Sequence, residues 1–371
     1  MIPAVVLALV AIIFIALFSN SPARASVYIV TTTADSFDPS CGGSDCSLRG
    51  ALSVAEDGDI ISVPPGTYTL TISVDVEILG EGIGETVIQA ATHPSVAEVG
   101  VFTIEAGATV IFRDVEIRNG NSSLNGGGIN TMGTVTVKDS WIHDNWAQSA
   151  GGGIWSRGGF FGEGVLTIIN SQIEFNRAAN AGGGVYTEGT GNITRSFITD
   201  NAVTNTTEEV VGGGGIFNFG SLNLTDSQVT SNSSTGGGGG IYNNIAATLN
   251  VFDSAISANT TEGDGAGIYN ASNANVLYST LSSNAAEGNG GGIFNRFELD
   301  FSQGAILDNT SHSGAGIYTD ESGTSDVTNA TVAGNEASFE GGGFFNKGTL
   351  NVTNATVTLN SAFRGGGVMD D

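Results

Sequence analysis

From residue 126 onward, apolar and polar positions alternate in short runs, and the runs recur. Thr134-Val135-Thr136-Val137, Leu222-Asn223-Leu224 and Leu350-Asn351-Val352 have period two, the pattern of strands with one face buried. Two landmarks fix their phase. The first is Gly-Gly/Ala-Gly followed by an apolar anchor: Ile129, Ile154, Val185, Ile216, Ile241, Ile268, Ile293, Ile317, Phe344 and Val368, at intervals of 24 to 31 residues. The second is an apolar residue three positions before an Asn. It recurs in every interval, from Ile142-x-x-Asn145 through Ile256-x-x-Asn259 to Val357-x-x-Asn360. The Asn stands 8 or 9 residues before the next anchor, except after Asn201, where the distance is 15. That difference isolates an insertion at 203–211, which carries Glu208 and Glu209.

Runs this short predict about three strands and three turns per period. One such unit cannot bury its apolar face alone, so neighbours must stack, and stacking in parallel gives an all-β, parallel β-helix. The glycines before each anchor suit turns with positive φ or close backbone approach. The repeated Asn suits a turn ladder whose amides bond up and down the stack. Residues 47–56 read as the only helix, with Leu48, Ala51, Leu52 and Ala55 on one face, placed to cover the open N-terminal end of the solenoid. Strands are expected at 60–63, 68–72, 76–79, 86–88, 102–104 and 109–112. The chain thus divides into a leader at 1–25, a cap with irregular first coils at 26–125, and regular coils at 126–371.

The leader is nearly unbroken apolar sequence at 2–18, then Ser19-Asn20-Ser21-Pro22 and Ala23-Arg24-Ala25. An apolar core before a small-x-small site predicts a secretory signal peptide cut after Ala25, hence a secreted or cell-surface protein with no membrane insertion after cleavage. The rival is an uncleaved anchor, since the apolar run is just long enough to span a bilayer. In an exported chain the close pair Cys41 and Cys46 predicts a structural disulfide. A zinc site would need two more ligands, and His93, His143 and His312 are dispersed.

Cys46-Ser47-Leu48-Arg49-Gly50-Ala51-Leu52 resembles the CSLREA signature of exported bacterial β-helix proteins, with Gly50 where that signature has Glu. Gly58-Asp59-Ile60-Ile61 and Pro65-Gly66-Thr67-Tyr68 are similar to the segment that follows it in such proteins. The repeats resemble the GGAI and FxxN motifs of polymorphic outer-membrane protein repeats, with Ile, Val or Leu in place of Phe. Together these resemblances cover 27–371 and imply a right-handed parallel β-helix on the cell surface or secreted. They imply little about activity. Unlike the outer-membrane proteins, the sequence shows no C-terminal β-barrel region. It stops just inside a new repeat at Val368-Met369-Asp370-Asp371, which predicts truncation, or an end that docks on another molecule or self-associates.

Composition narrows the function. The chain has 56 Gly in 371 residues, 11 basic against 37 acidic side chains, and a formal charge of −26. Such a surface repels phosphate backbones and polyanionic sugars, so no nucleic-acid partner is expected. There is no Gly-x-Ser-x-Gly elbow, none of the polygalacturonase landmarks, and no basic cluster to hold a uronate. No cofactor is called for. Asp320-Glu321-Ser322-Gly323-Thr324-Ser325-Asp326 is a weak Ca²⁺ candidate that matches neither an EF-hand nor an RTX nonapeptide; a solvated acidic turn is the simpler reading.

Two features remain. Aligned on the Asn ladder, His143 and Glu174 share a column, with Asp144 and Asp200 in the next, two rungs or roughly 10 Å apart. That separation lies just beyond the carboxylate spacing of inverting glycosidases, about 6.5–9.5 Å. Trp141, Trp146 and Trp155 fall in the same stretch of sequence. Asp144, Glu174 and Asp200 are therefore the catalytic candidates, against the simpler view that Asp144, Asp200 and Asp308 are turn residues. The second feature is an aromatic after each of eight anchors: Trp155, Tyr186, Phe217, Tyr242, Tyr269, Phe294, Tyr318 and Phe345. Alternation turns these rings away from the core. They form either an outward binding stripe for a glycan or a protein, or a ring stack covered by neighbouring turns. The leading expectation is a non-catalytic, adhesin-like binding protein for a polysaccharide or a cell-surface protein. The alternatives are a polysaccharide lyase or glycoside hydrolase acting on a neutral polysaccharide, and a purely structural coat.

Overall fold

The computed structural model describes residues 25–32, 41, 45–64, 66–67, 70–158, 164–205 and 211–371. The leader up to residue 24 and the insertion's Glu208 and Glu209 lie outside the described residues. The chain winds as an all-β parallel solenoid of about eleven turns. Each regular coil has four strands rather than the expected three. Starting from an anchor, Ile154–Ser156 enters a 12-stranded anchor sheet and Val165–Ile169 a 13-stranded long sheet. Gln172–Glu174 then joins a 12-stranded flank sheet and Arg177–Ala178 a 9-stranded short sheet. The fourth strand has mostly two residues, directly after the ladder Asn. Two residues are too few to show a period, which is why the sequence pattern missed them.

All four sheets pair in parallel, anchor on anchor, as in Ile129↔Ile154 and Ile154↔Val185, with a register shift in the short sheet between Ser311 and Ser313. Ile129, Ile154, Val185 and Ile216 are fully buried. Each such side chain stabilises its coil by about 1.5–3 kcal/mol. The core is one continuous column from Val30 to Phe344. Its first coils already run in phase, with Leu70↔Phe102 and Phe102↔Ile129.

The corners are built from the repeated residues. Gly151, the first glycine of its anchor motif, has φ 65°, a region L side chains rarely occupy. A Cβ on Gly153 would lie 2.8 Å from the Gly184 carbonyl and 3.0 Å from Asn176, so the third glycine admits both the next coil and the ladder. That ladder is buried. Asn145 Nδ2 donates to Asn176 Oδ1 at 3.0 Å and to the Ile117 carbonyl at 3.2 Å, and the pattern continues to Asn360. A second internal ladder, Asn218–Asn243–Asn270–Asn295, links coils beneath the anchor sheet.

At the N-terminus Leu48–Val54 is helical, capped by Ser47, whose side chain accepts from the Gly50 amide. The helix is shorter than 47–56, since Ala55 is already extended. Leu48 and Ala51 enter the solenoid core, and the helix packs on strand Asp59–Ser62. Cys41 and Cys46 form a disulfide beside it.

Candidate functional site

The aromatic column is a stack. From Tyr186 to Phe345, successive ring centroids are 4.5–5.2 Å apart and nearly parallel; Trp155 joins at 6.3 Å. Phe217, Phe294, Tyr318 and Phe345 are buried, while Trp155, Tyr186, Tyr242 and Tyr269 are half-buried. Small residues before the anchors let the turns lie against the rings: Ala150 and Ala181 cluster with Phe217, and a Cβ on Gly237 would meet Tyr269 at 2.9 Å. Parallel rings one rung apart cover each other's faces, so solvent meets mainly their edges. Burial pushes the Tyr186 and Tyr242 hydroxyls well above the ordinary tyrosine range.

A different face carries the exposed rings of Trp146 and Phe175. On the flank sheet, His143 pairs with Arg118 below and Glu174 above, and Glu174 with Thr199, as the ladder alignment required. The corner after this sheet places one residue per coil in the left-handed region. Asp144, Phe175 and Asp200 have φ of 50°, 53° and 53°. Asp tolerates that conformation, whereas a bulky ring there is an outlier. In the short sheet, Trp146 pairs with Arg177. Trp146 is 44% exposed and Phe175 48%.

Between these columns lies a hollow of about 350 Å³, lined by Asp144, Trp146, Phe175, Arg177 and Asp200 and walled by the short turn at His93–Ser95. Larger hollows of about 530 and 470 Å³ lie over the long and short sheets, and no aromatic side chain lines them.

Beneath the hollow is a buried polar chain. His143 Nδ1 lies 2.7 Å from Asp144 Oδ2, and its Nε2 lies 3.0 Å from Glu116 Oε1. Arg118 donates to Glu116 at 2.8 Å and to Gln89 at 3.0 Å. His143 and Glu116 are almost fully buried, and Trp141 stacks on the imidazole at 3.8 Å. The Glu174 carboxyl is pushed above its ordinary range, first by burial and then by Asp200; Trp141 and His143 act in the opposite direction.

Asp144, Glu174 and Asp200 are therefore brought together, with Trp141 and Trp146 beside them. Trp155 is not: it begins the aromatic stack on the anchor sheet. Glu116, Arg118, Phe175, Arg177 and His93 escaped the sequence reading. Glu116 precedes the regular repeats, and its coil has Gly120 where the ladder Asn belongs, so no landmark aligned it. Phe175 and Arg177 flank Asn176 and were visible only as breaks in columns otherwise rich in Asp, Ser and Thr. Of the Ca²⁺ candidate, Asp320 pairs with Arg296 at 3.3 Å, while Asp326 accepts from Asn351 at 2.7 Å on the long sheet.

No protein-family model and no curated protein matches the chain. Among solved structures it is similar to the A-module of the mannuronan C-5 epimerase AlgE6 of Azotobacter vinelandii. The identity is 12% and the TM-score 0.34, over 85% of this chain and 91% of that one. A likeness this remote carries no argument about this chain.

Proposed function

We propose that this chain is an exported surface or extracellular binding protein of adhesin type, and that it takes a carbohydrate chain across the Trp146–Phe175 hollow. The supporting observation is the exposed ring of Phe175, set between Asp144 and Asp200 and lining one hollow with the exposed ring of Trp146. Open rings stack on the apolar faces of pyranoses, and flanking carboxylates accept hydroxyl hydrogen bonds; few polar groups in a mostly apolar hollow are what a small-ligand site requires. Export is supported by the apolar run at 2–18 and the Ala23-Arg24-Ala25 site.

Native electrophoresis through gels containing polysaccharides tests the reading. Retardation of the full chain is expected, and Trp146→Ala with Phe175→Ala should weaken it about tenfold, the loss of roughly 1.4 kcal/mol of ring contact. Unchanged retardation by that variant would move the binding face elsewhere.

A second reading, hydrolysis of a bound neutral polysaccharide, is favoured by Glu174, whose raised carboxyl stands one rung from Thr199 and beside Asp200. A carboxyl with a raised pKa is what a proton donor requires. Cleared zones in the same gels, abolished by Glu174→Gln, would establish it.

A further inference from the structure

This inference rests on the glycan reading above and narrows its ligand. We propose that the glycan carries free amino groups, as a glucosamine chain does, and that its ammonium seats at Phe175 between Asp144 and Asp200.

Three observations carry it. The first is register: Asp144, Phe175 and Asp200 occupy the same corner of three successive coils, so their backbones stand about 4.8 Å apart along the stack. An ammonium over an aromatic face gains a cation–π contact, and here two carboxylates flank the same ring. The second is the brace on Asp144. His143 and Glu116, both nearly fully buried, form a chain with Arg118 and Gln89 that ends on this one exposed carboxylate. Burying such groups costs several kcal/mol unless each is paired, and a merely solvated turn Asp needs none of it. Asp308, at the same corner further along, follows Leu307, whose apolar side chain can supply no such brace. The third is charge. Among the described residues, Arg177 is the one permanently cationic side chain lining the hollow, against Asp144 and Asp200, with Glu174 adjoining. The whole chain, at −26, draws cationic polymers and repels anionic ones.

A lysine-rich peptide offers the same ammonium. The glycan is favoured because Trp146 and Phe175 supply two open ring platforms in a hollow of about 350 Å³, within the usual size of a small-ligand site, and a rung advance is close to the length of one pyranose.

Calorimetry with the full chain at about pH 6 and low ionic strength tests this with four probes: glucosamine tetramer, its N-acetylated counterpart, cellotetraose and tetralysine. The glucosamine tetramer should bind about tenfold or more tighter than either neutral tetramer, a gap of roughly 1.4 kcal/mol, and about 0.15 M salt should narrow the gap. Asp144→Asn with Asp200→Asn should abolish the preference by weakening the glucosamine tetramer far more than cellotetraose; melting curves establish that the variant is folded. Asp300→Asn with Asp326→Asn, on the long sheet, should leave the preference intact. Equal affinity for the three sugars overturns the amine preference and leaves the glycan reading standing. Tetralysine binding tighter than the glucosamine tetramer overturns it in favour of a protein ligand. Loss of the preference in the Asp300/Asp326 variant reduces it to bulk charge. No binding to any of the four overturns both readings.

Discussion

Asn259 illustrates what one repeated side chain does here. Its Oδ1 accepts from both the backbone amide and Nδ2 of Asn232, while its own Nδ2 donates to the Val229 carbonyl and to Asn284. Asn259→Leu strands the buried Asn232 amide, while Asn232 Nδ2 keeps the Ile198 and Thr230 carbonyls, and should cost about 1–3 kcal/mol, read from denaturant midpoints. Tyr242 stabilises differently, through parallel neighbours at 5.2 and 4.5 Å. Tyr242→Ala should lose about 2–4 kcal/mol from those contacts and the space they leave, with glycan retardation unchanged. Glu174 behaves oppositely to both. Its carboxyl is raised in the fold, so it binds protons more readily folded than unfolded. Its favourable contribution is therefore complete below the ordinary carboxylate range and is lost as pH rises through the elevated value. Glu174→Gln should gain stability relative to the parent between pH 4 and pH 7 in paired melting curves; a constant difference would exclude the shift.

Each strand presents the core with one set of residues and the solvent with another, and only the outward set varies in chemistry. On the flank sheet the inward column is Ile117, Ile142, Ile173, Ile198 and Val229, all fully buried. The outward column changes from Arg118, His143 and Glu174 to Thr199, Thr230 and Ser257 within a few rungs. On this sheet the ionisable and aromatic groups are thus confined to a few adjacent coils, and the later coils carry Ser, Thr, Ala, Gln and Leu outward. That confinement distinguishes a site from a surface. His143→Ala removes the group between Glu116 and Asp144 and leaves Glu116 held by Arg118 alone. It should destabilise the fold by about 1–3 kcal/mol, and in calorimetry it should also reduce the glucosamine preference, because Asp144 loses its brace.

The molecule as a whole is close to one-dimensional: each coil touches the coils before and after it. Stability is then a sum of coil terms and neighbour interfaces. Removing residues 241–267 would bring Gly240 to Ile268, anchor onto anchor, with the ladder Asn232 meeting Asn284 in place of Asn259. The shortened chain should fold as a solenoid one rung shorter, by circular dichroism, and retain its glycan affinity within about twofold, since the removed coil is two rungs from the nearest residue of the hollow, Asp200.

Much of this was legible in the chain because a solenoid makes long-range structure periodic. A register that other folds hide is here written as a spacing of Gly-Gly-Gly-Ile and φ-x-x-Asn, so the parallel stack, the buried Asn ladder and the His143–Glu174 column followed from alignment alone. Spacing alone told less about what stands outside the repeat. The fourth strand is too short to have a period. Glu116 belongs to a coil that lacks the ladder Asn. Whether an outward ring lies open or closed depends on what covers it: alternation sends Tyr242 and Phe175 outward alike, yet the turn at Gly237 and the neighbouring rings close over Tyr242, while the corner at Phe175 leaves it bare. Backbone pairing is a local, repeated interaction and is carried by the repeat; solvent access depends on turns from other coils, and it took the folded coils to place them.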